Sequence, residues 1–366
     1  MINFNINLGS VCYPIYVADD IFQNLTSRIT EIKSTGKVVI IVDEQIVRLR
    51  TEIFDEIKQD NRFYIYVIPG QKNNKTFYFA MKIFEFLDGN NISRDSTIVG
   101  IGGGVIGDLT GFIASCWYRG VDLIHIPTTL LSAVDSCVGG KTAVNFRSTV
   151  NAVGSYYHPK AILIDSNILL ALPPREISSG FGEIIKYACL GCKEISNILT
   201  KTNNIKTNHI NKLIELSLKE KEKFVKGDIG EQANRLFLNF GHTIGHAIEF
   251  STIYNGEETL RHGEGVALGM LAIFRICVHL GYLLETDLVE LRTTLSRYGL
   301  PVTYESASLG INRAALVDRV IELCFKDKKR TASQLRLILL NGIGNPFIYS
   351  TDDRELIKFG ILEVIL

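Results

Sequence analysis

Two histidines and a carboxylate in the second half of the sequence have the types and spacing of a metal-binding set. His242 and His246 stand four residues apart in the segment NFGHTIGH, so a helix would place both on one face. His262 follows in RHGE, and Glu183 lies upstream in GEIIK. Two imidazoles and one carboxylate suit a divalent metal such as zinc, with a position left open for substrate. For His242 alone, a hydrogen-bonded helix histidine is the favoured interpretation, whereas the gathering of histidines at 242, 246, 262 and 279 favours a metal.

Two segments of the first half could bind a phosphorylated ligand. Three glycines at 102–104 follow a predicted strand and open a predicted helix, where free N–H groups can meet a phosphate. The spacing is not G-x-G-x-x-G, so the run predicts either a pyrophosphate cradle or a tight turn. The polar segment PTTLLSAVDSCVGGKTAVN at 127–145 begins where another strand ends, which is where α/β sheets bind ligands. A surface loop with a solvated lysine is the alternative for this segment.

Several cations lie mostly in apolar-flanked segments rather than in charge runs. If they converge on one cleft, they favour a doubly anionic small substrate. Lys221 is the exception, because it lies in the run KEKEK, which is typical of a solvated helix face. The set comprises Arg119, Lys141, Lys186, Lys221, Arg235 and either Lys328 or Lys329. The isolated C-x-x-C at 189–192 has no second pair and is interpreted as structural.

The elements that must position these residues change character along the chain. Apolar runs at 37–42, 64–68, 96–101, 123–126 and 161–164 predict buried strands, and 77–87 and 105–114 predict helices between them. Helical patterns dominate from about residue 174, at 177–189, 210–225, 240–252, 263–280 and 285–298. We therefore predict the α/β class, with a Rossmann-like parallel-sheet domain at 1–172 and an all-helical metal- and substrate-binding domain at 173–366.

Composition excludes several classes of protein. The 366 residues carry 39 Lys and Arg against 39 Asp and Glu, which argues against a general nucleic-acid binder. Seven cysteines at irregular spacing do not indicate a secreted disulfide framework. The N-terminus lacks the pattern of a signal peptide, and the apolar stretch 266–284 contains Arg275 and His279, which disfavours a membrane span. We expect a cytoplasmic protein without membrane or nucleic-acid partners.

Taken together, these segments resemble 3-dehydroquinate synthase, of the sugar phosphate cyclase family. The matching stretches run in order across most of the chain, and together they are far more specific than any one motif. They are GGGVIGDLTGF at 102–112, YRG at 118–120, PTTLLSAVDSCVGGKTAVN at 127–145, LPPREISSGFGEIIKYA at 172–188, RLFLNFGHTIGHAIE at 235–249, HGEGVALGM at 262–270 and KDKK at 326–329.

The resemblance implies an N-terminal NAD-binding domain and a C-terminal helical metal-binding domain, usually in a homodimer. It implies that 3-deoxy-D-arabino-heptulosonate 7-phosphate becomes 3-dehydroquinate plus phosphate, a step of aromatic amino acid biosynthesis by the shikimate route. NAD would oxidise C5 transiently, phosphate would be eliminated, the hydride would return, and an aldol closure would follow, with zinc or cobalt bound.

The resemblance also assigns residues to roles. The implied metal ligands are Glu183, His242 and His262. The implied substrate-binding and catalytic set is Asp135, Lys141, Asn151, Lys186, Lys221, Arg235, Asn239 and His246, with Arg119 reaching in and one of Lys328 and Lys329. The implied NAD contacts are Asp43, Lys75, Gly103, Gly104, Asp108, Thr128 and Thr129.

Three positions depart from the family pattern. Lys72, Val150 and Ala171 stand where the family usually has Glu, Lys and Thr. Lys72 replaces a carboxylate that is expected to bind the ribose hydroxyls of NAD. The lysine would therefore weaken NAD binding or allow the 2′-phosphate of NADP to bind. These departures leave open a specialised cyclase, similar to 2-deoxy-scyllo-inosose synthase or an amino-dehydroquinate synthase, and a metal-dependent polyol dehydrogenase remains a further alternative. Asn239 and the second histidine of GHTIGH favour the dehydroquinate reaction.

Overall fold

A computed structural model of the chain describes residues 2–147, 149–201, 207–326 and 334–366. These residues form two compact units. The first comprises the described residues of the ranges 1–172 and 206–230, and the second comprises those of the ranges 173–205 and 231–366. Lys328 and Lys329 lie outside the described residues.

The first unit is built on a seven-stranded, mostly parallel sheet with the order β1-β2-β9-β6-β5-β3-β4. Only the β1–β2 pair is antiparallel. Its strands are β1 Ile2–Asn7, β2 Cys12–Ala18, β3 Val38–Asp43, β4 Phe63–Ile68, β5 Thr97–Gly102, β6 Asp122–Pro127 and β9 Ala161–Asp165. All five predicted strands are present within one residue at each end. Strands β1 and β2 are missing from the prediction, because their polar–apolar alternation is not the continuous apolar run we searched for.

Helices cover both faces of this sheet and bury two apolar layers. Ile40, Val99 and Ile124 lie in the layer on one face, whereas Ile41 and Ile98 lie in the layer on the other. The helices are α1 Leu25–Ile32, α2 Glu44–Leu49, α3 Thr51–Ile57, α4 Phe77–Gly89, α5 Gly104–Cys116, α6 Ser166–Leu170 and α9 Thr207–Val225. A hairpin of β7 Lys141–Phe146 and β8 Thr149–Tyr156 completes the unit. The predicted fold class is confirmed.

Helix α9 belongs to the first unit, although the sequence analysis assigns it to the helical domain. Its polar groups find partners there: the Asn7 backbone N–H donates to Glu222 at 2.6 Å, and Lys221 pairs with Asp135. The predicted boundary at 172/173 therefore matches the point where the chain first leaves the first unit. It does not account for helix α9, where the chain belongs to the first unit again.

The second unit is mainly helical. Its helices are α7 Pro174–Cys189, α8 Lys193–Lys201, α10 His242–Ser251, α11 His262–His279, α12 Glu285–Arg297, α13 Arg313–Lys326 and α14 Arg354–Ile361. An antiparallel pair, β10 Leu335–Leu340 with β11 Pro346–Thr351, adds a small sheet that "all-helical" did not anticipate. Across the described ranges, no helix combines the length and apolar character needed to span a membrane.

Candidate functional site

The three predicted metal ligands come from three different helices of the second unit and lie side by side. Glu183 on α7 places its Oε1 atom 3.3 Å from Nε2 of His242 and 3.5 Å from Nε2 of His262. His246 joins them, since one ring nitrogen from each of the three histidines lies within 4.8 Å of the others. Helices α10 and α11 begin at His242 and His262, so two imidazoles stand in first turns.

Glycines let these helices approach closely enough for the side chains to meet. A Cβ at Gly182 would lie 2.5 Å from the Gly263 carbonyl oxygen, which holds α7 against α11 beside Glu183. A Cβ at Gly269 would lie 1.9 Å from the Gly241 carbonyl oxygen, which holds α10 against α11. Any side chain at these positions would separate the backbones and the ligands with them.

The donor set fits a divalent ion. Glu183 is 1% exposed, yet neither carboxylate oxygen has a hydrogen bond of normal geometry, although Oε2 pairs with the Lys186 ammonium. Two ligand atoms bound to one tetrahedral zinc at the usual distances stand about 3.3 Å apart. The separations of 3.3 and 3.5 Å match that spacing, so these atoms could hold a common ion.

Neighbouring groups orient the two imidazoles. The Nδ1–H of His242 donates to the Phe240 carbonyl at 3.0 Å, which leaves Nε2 facing Glu183. His262 presents Nδ1 to Glu249, whose Oε2 lies 3.5 Å away. Sequence reasoning missed Glu249, although it follows His242 and His246 at helical spacings of seven and three residues.

The neighbouring charges favour an ionised Glu183 and a protonated His262. Burial opposes ionisation of Glu183, but Lys186 and His242 outweigh it and hold the pKa of Glu183 well below its ordinary value. Burial likewise disfavours the His262 imidazolium, but Glu183 and Glu249 outweigh it and raise the pKa of His262 to about 9. The carboxylate is therefore ready to bind a cation, and a metal at His262 would displace a proton.

Three predicted substrate residues also lie in the second unit. Lys186 is 1% exposed, with its ammonium 4.9 Å from the Tyr187 ring centre. Arg235 is 2% exposed, and Asn239 donates from Nδ2 to Glu231 Oε1 at 3.0 Å. Glu231 is a second acid that sequence reasoning missed, because it stands just before the matched RLFLNFGH stretch.

Most of the predicted NAD contacts gather at the carboxyl edge of the sheet. Gly103 caps α5 at the end of β5, and a Cβ there would lie 3.0 Å from Thr129 Cγ2. The Thr128 backbone N–H donates to the Gly102 carbonyl at 3.0 Å. Asp43 ends the neighbouring strand β3 and caps α2. The chain order reverses between β3 and β5, which is the point where open α/β sheets bind ligands.

Two partly buried ion pairs hold further predicted residues of the first unit. Lys75 donates to Asp108 Oδ2 at 2.7 Å and to the side-chain oxygen of Asn151. Burial raises the pKa of Asp108, and Lys75 opposes that effect. Lys221 donates to the Asp135 carbonyl at 2.7 Å and lies 3.0 Å from its Oδ1. Lys221 is 5% exposed, so the solvated-face interpretation of KEKEK is wrong for this residue.

The remaining predicted residues are exposed. Lys141 begins the β7–β8 hairpin, and Arg119 lies in a turn where Tyr118 and Arg119 both have left-handed φ angles, of 47° and 65°. Lys72, Val150 and Ala171 are exposed as well. Within the described part of the chain, the metal-type cluster thus belongs to the second unit, and the glycine-lined strand edge and the lysine pairs belong to the first.

Comparison with solved structures supports the architecture. A 2-deoxy-scyllo-inosose synthase, complexed with carbaglucose-6-phosphate, NAD+ and Co2+, is 26% identical, with a TM-score of 0.82 over 99% of this chain and all of that chain. The 2-epi-5-epi-valiolone synthase from Streptomyces hygroscopicus, with NAD+ and Zn2+ bound, has a TM-score of 0.79 at 22% identity over 96% of each chain. Glycerol dehydrogenase from Schizosaccharomyces pombe shares the fold at a TM-score of 0.65 and 19% identity, over 95% of this chain and 87% of that one.

Comparison of sequences is more specific. The 3-dehydroquinate synthase from Thermoanaerobacter sp. is 36% identical over 96% of this chain and 98% of its own length. The 3-dehydroquinate synthase from Acetivibrio thermocellus is 36% identical over 98% of both chains. Residues 65–179 match the family description "3-dehydroquinate synthase N-terminal", and residues 180–330 match "3-dehydroquinate synthase C-terminal". The resemblance seen in the sequence is confirmed, and the chain belongs to the 3-dehydroquinate synthase family.

Proposed function

We propose that this protein is a 3-dehydroquinate synthase that converts 3-deoxy-D-arabino-heptulosonate 7-phosphate to 3-dehydroquinate and phosphate. The observation that carries the proposal is the convergence of Glu183, His242 and His262 at separations typical of ligands on one ion. Family membership supports the choice of reaction, and this geometry supports a binding site for the metal that the reaction needs.

We assign Glu183, His242 and His262 as the residues that hold a divalent metal, zinc or cobalt. When bound, the ion supplies Lewis acidity to substrate hydroxyl groups. Lys186 keeps Glu183 ionised, and Phe240 and Glu249 fix the two imidazole rings. His246 lies in the same cluster, where it is placed to hold or pass a proton beside the substrate.

We assign the NAD site to the carboxyl edge of the sheet, around Asp43, Gly103, Gly104, Thr128 and Thr129. When bound, NAD supplies reversible oxidation of the substrate C5 hydroxyl. The side-chain-free turn at 102–104 and the start of α5 offer backbone N–H groups to a pyrophosphate. Lys75 and Asp108 pair with one another close to this helix.

Lys141, Lys186 and Lys221 are assigned to the substrate's anionic groups, and Lys75 of the implied NAD set lies near two of them. Lys75, Lys141 and Lys221 all stand close enough to Asp108 to lower its pKa, although burial dominates and raises it. With the Asp135 carboxylate, which pairs with Lys221, the three ammonium groups face two carboxylates, and the single excess positive charge suits an anionic group. Lys186 and Arg235 supply two further buried cations in the second unit.

We also propose that the protein is a cytoplasmic homodimer. Seven free thiols suit a reducing compartment. Strand β8 and helix α4 expose large apolar side chains that a second copy would cover, namely Tyr78, Met81, Val150 and Tyr156. Arg119, in its left-handed turn, is exposed, and we assign it to the substrate-binding set that the family resemblance implies.

The test is to supply the heptulosonate phosphate with NAD and zinc and to follow phosphate and NADH together. A synthase releases phosphate stoichiometrically while NADH does not accumulate. Glucose 6-phosphate in place of the heptulosonate is the matched control for a 2-deoxy-scyllo-inosose synthase, and glycerol is the control for a polyol dehydrogenase. Net NADH formation, or turnover of glucose 6-phosphate alone, would refute the proposal.

A further inference from the structure

The helices that carry Glu183 and His262 meet along one face of α7. Arg175, Ser179 and Glu183 stand at intervals of four residues on that helix, so they share this face. The Ser179 hydroxyl oxygen accepts from the backbone N–H of Gly263, the residue after His262, at 3.2 Å. The face of α7 that presents Glu183 to the metal-type cluster is therefore also the face that contacts the first turn of α11.

Arg175 and Glu264 make a two-point contact between these helices. Arg175 donates from Nε to Oε1 of Glu264 and from a terminal nitrogen to Oε2, both at 2.7 Å. Paired hydrogen bonds from a guanidinium to a carboxylate fix direction as well as distance. The Glu264 side chain is 7% exposed, so water competes little for its oxygens. Because Glu264 lies two residues after His262 in the same turn, the contact fixes the turn from which the imidazole projects.

Glu264 also orders this turn from within. Its Oε2 accepts from the backbone N–H of Arg261, which is the N-cap residue of α11, at 2.8 Å. A carboxylate at this place also suits the positive end of the helix. The same side chain thus accepts from Arg175 and caps the turn that carries His262, so a change at Arg175 reaches His262 through Glu264.

Arg175 is connected to the third helix of the cluster as well. Its terminal nitrogen donates to the Thr259 carbonyl at 2.6 Å. The Thr259 hydroxyl donates to the carbonyl of Thr252, the C-cap residue of α10, at 2.9 Å. Helix α10 begins with His242. Hydrogen bonds therefore join one guanidinium, which lies on α7, to the start of α11 and to the end of α10.

We propose that Arg175 is a positioning residue for the metal centre and acts on His262 through Glu264. This inference rests on the proposed function, because it takes Glu183 and His262 as ligands of one ion. The separation of 3.5 Å between Glu183 Oε1 and His262 Nε2 depends on how the first turn of α11 lies against α7. Loss of the guanidinium releases that turn, which disturbs the separation and weakens metal binding. A role confined to the fold would instead lower stability and leave the metal affinity of the folded protein unchanged.

The experiment titrates the full-length, metal-free protein with cobalt and follows the absorption bands of the bound ion. Loss of a group that orients a metal ligand typically costs roughly 10- to 100-fold in affinity, so Arg175→Gln should weaken cobalt binding at least about tenfold. The absorption bands should also shift, because the ligand geometry changes. Arg175→Lys should weaken binding nearly as much, since an ammonium keeps the charge but cannot make the paired contact.

Arg261→Gln is the matched control. Arg261 adjoins His262, and its Nε lies 2.8 Å from Oε1 of Glu176, but these two side chains are 45% and 32% exposed. Exposed ion pairs contribute little, so Arg261→Gln should weaken cobalt binding by less than about threefold. The double variant Arg175→Gln/Glu264→Gln should bind cobalt nearly as well as Glu264→Gln alone, because both residues act through one contact. Urea unfolding of each metal-free variant measures stability separately.

The proposal is overturned if the folded Arg175 variants bind cobalt with the affinity and spectrum of the unaltered protein, whatever their stability. Equal weakening by Arg261→Gln, or additive losses in the double variant, would also overturn it. If Arg175→Gln does not fold, Arg175→Lys takes its place. Failure of the proposed metal centre is a different result: the unaltered protein would bind no cobalt, or His262→Ala would bind it equally well, and the role of Arg175 would fall with it.

Discussion

Replacing Lys221 with methionine should abolish a substrate contact while leaving the stability of the fold nearly unchanged. The Lys221 side chain is 7% exposed, and its ammonium lies 3.0 Å from the Asp135 carboxylate. Lys221→Met removes a buried charge together with its pairing, and methionine has nearly the same length and shape. Asp135→Asn, in contrast, leaves the ammonium buried without its counter-charge.

The magnitudes follow from the geometry. At 3.0 Å and an effective dielectric constant of about 20, the gross attraction is about 5–6 kcal/mol. Desolvation of the ammonium offsets most of it, so Lys221→Met should change the unfolding free energy by less than about 1 kcal/mol. Asp135→Asn should destabilise by about 2–3 kcal/mol, less than for a fully buried pair, because the Asp135 side chain is 25% exposed. The double variant should recover most of that loss.

The assay has a built-in reporter of the first unit. Trp117 is the single tryptophan, and its indole N–H donates to the Ile92 carbonyl at 3.0 Å. Urea unfolding followed by Trp117 fluorescence therefore reports on the unit that contains Lys221 and Asp135. The matched control is Lys219→Met in the same KEKEK run, where the side chain is 46% exposed and the expected change is below about 0.5 kcal/mol.

Activity separates the two lysines further. Lys221→Met should lower kcat/KM for the heptulosonate phosphate by about 10- to 100-fold, the worth of a hydrogen bond from a charged group, and Lys219→Met should leave it unchanged. Asp135→Asn without loss of stability, or equal loss of activity in both lysine variants, would refute the assignment of Lys221 as a buried, substrate-facing cation.

Three further predictions concern other residues. Glu249→Gln should weaken zinc or cobalt binding about 10- to 100-fold because it loosens the orientation of His262, and cobalt absorption spectroscopy checks this against His262→Ala, which should lose metal and activity together. Burial lowers the pKa of His125 to about 4, so the unfolded state binds more protons between about pH 6.5 and 4; stability should fall by about 2 kcal/mol from pH 7.5 to pH 5, and His125→Gln should lose that part of the pH dependence in urea unfolding. Lys72→Glu should weaken NADP binding relative to NAD at least tenfold in fluorescence titrations, and strict use of NAD by the unaltered protein would contradict the role given to Lys72.

The parallel strands were predictable because burial on both faces leaves a sequence signature. Strand β3 has five buried residues in succession, and its apolar run identifies it without any tertiary information. The exposed hairpin strand β8 has no comparable run, so periodicity alone did not find it. Strand β10 does have four buried apolar residues in succession, and the sequence analysis overlooked them.

The candidate site was only partly predictable from the sequence. A pattern of charges can be read from neighbouring residues, whereas the burial of a side chain depends on parts of the chain that are distant in sequence. The run KEKEK suggested a solvated face, yet Lys221 continues the buried stripe of Ile214, Leu218 and Val225 on α9. A test of helical phase would have distinguished Lys221 from Lys219. Glu249 was missed for a related reason, since its role depends on His262 from another helix and only its spacing from His242 was visible in the sequence.

Close approach of backbones explains why glycine is frequent in the helices that carry the ligands. Glycine in a helix interior costs roughly 1 kcal/mol relative to alanine, so Gly245, Gly265 and Gly269 weaken α10 and α11 as isolated helices. A Cβ at Gly245 would lie 2.6 Å from the Gly265 carbonyl, and one at Gly269 would lie 1.9 Å from the Gly241 carbonyl. Alanine at either position would therefore force apart the helices that bring His242 and His246 to His262. These glycines destabilise the isolated helices, but they allow the close helix contact that brings the imidazoles near one another. A metal centre requires that short distance between its ligands.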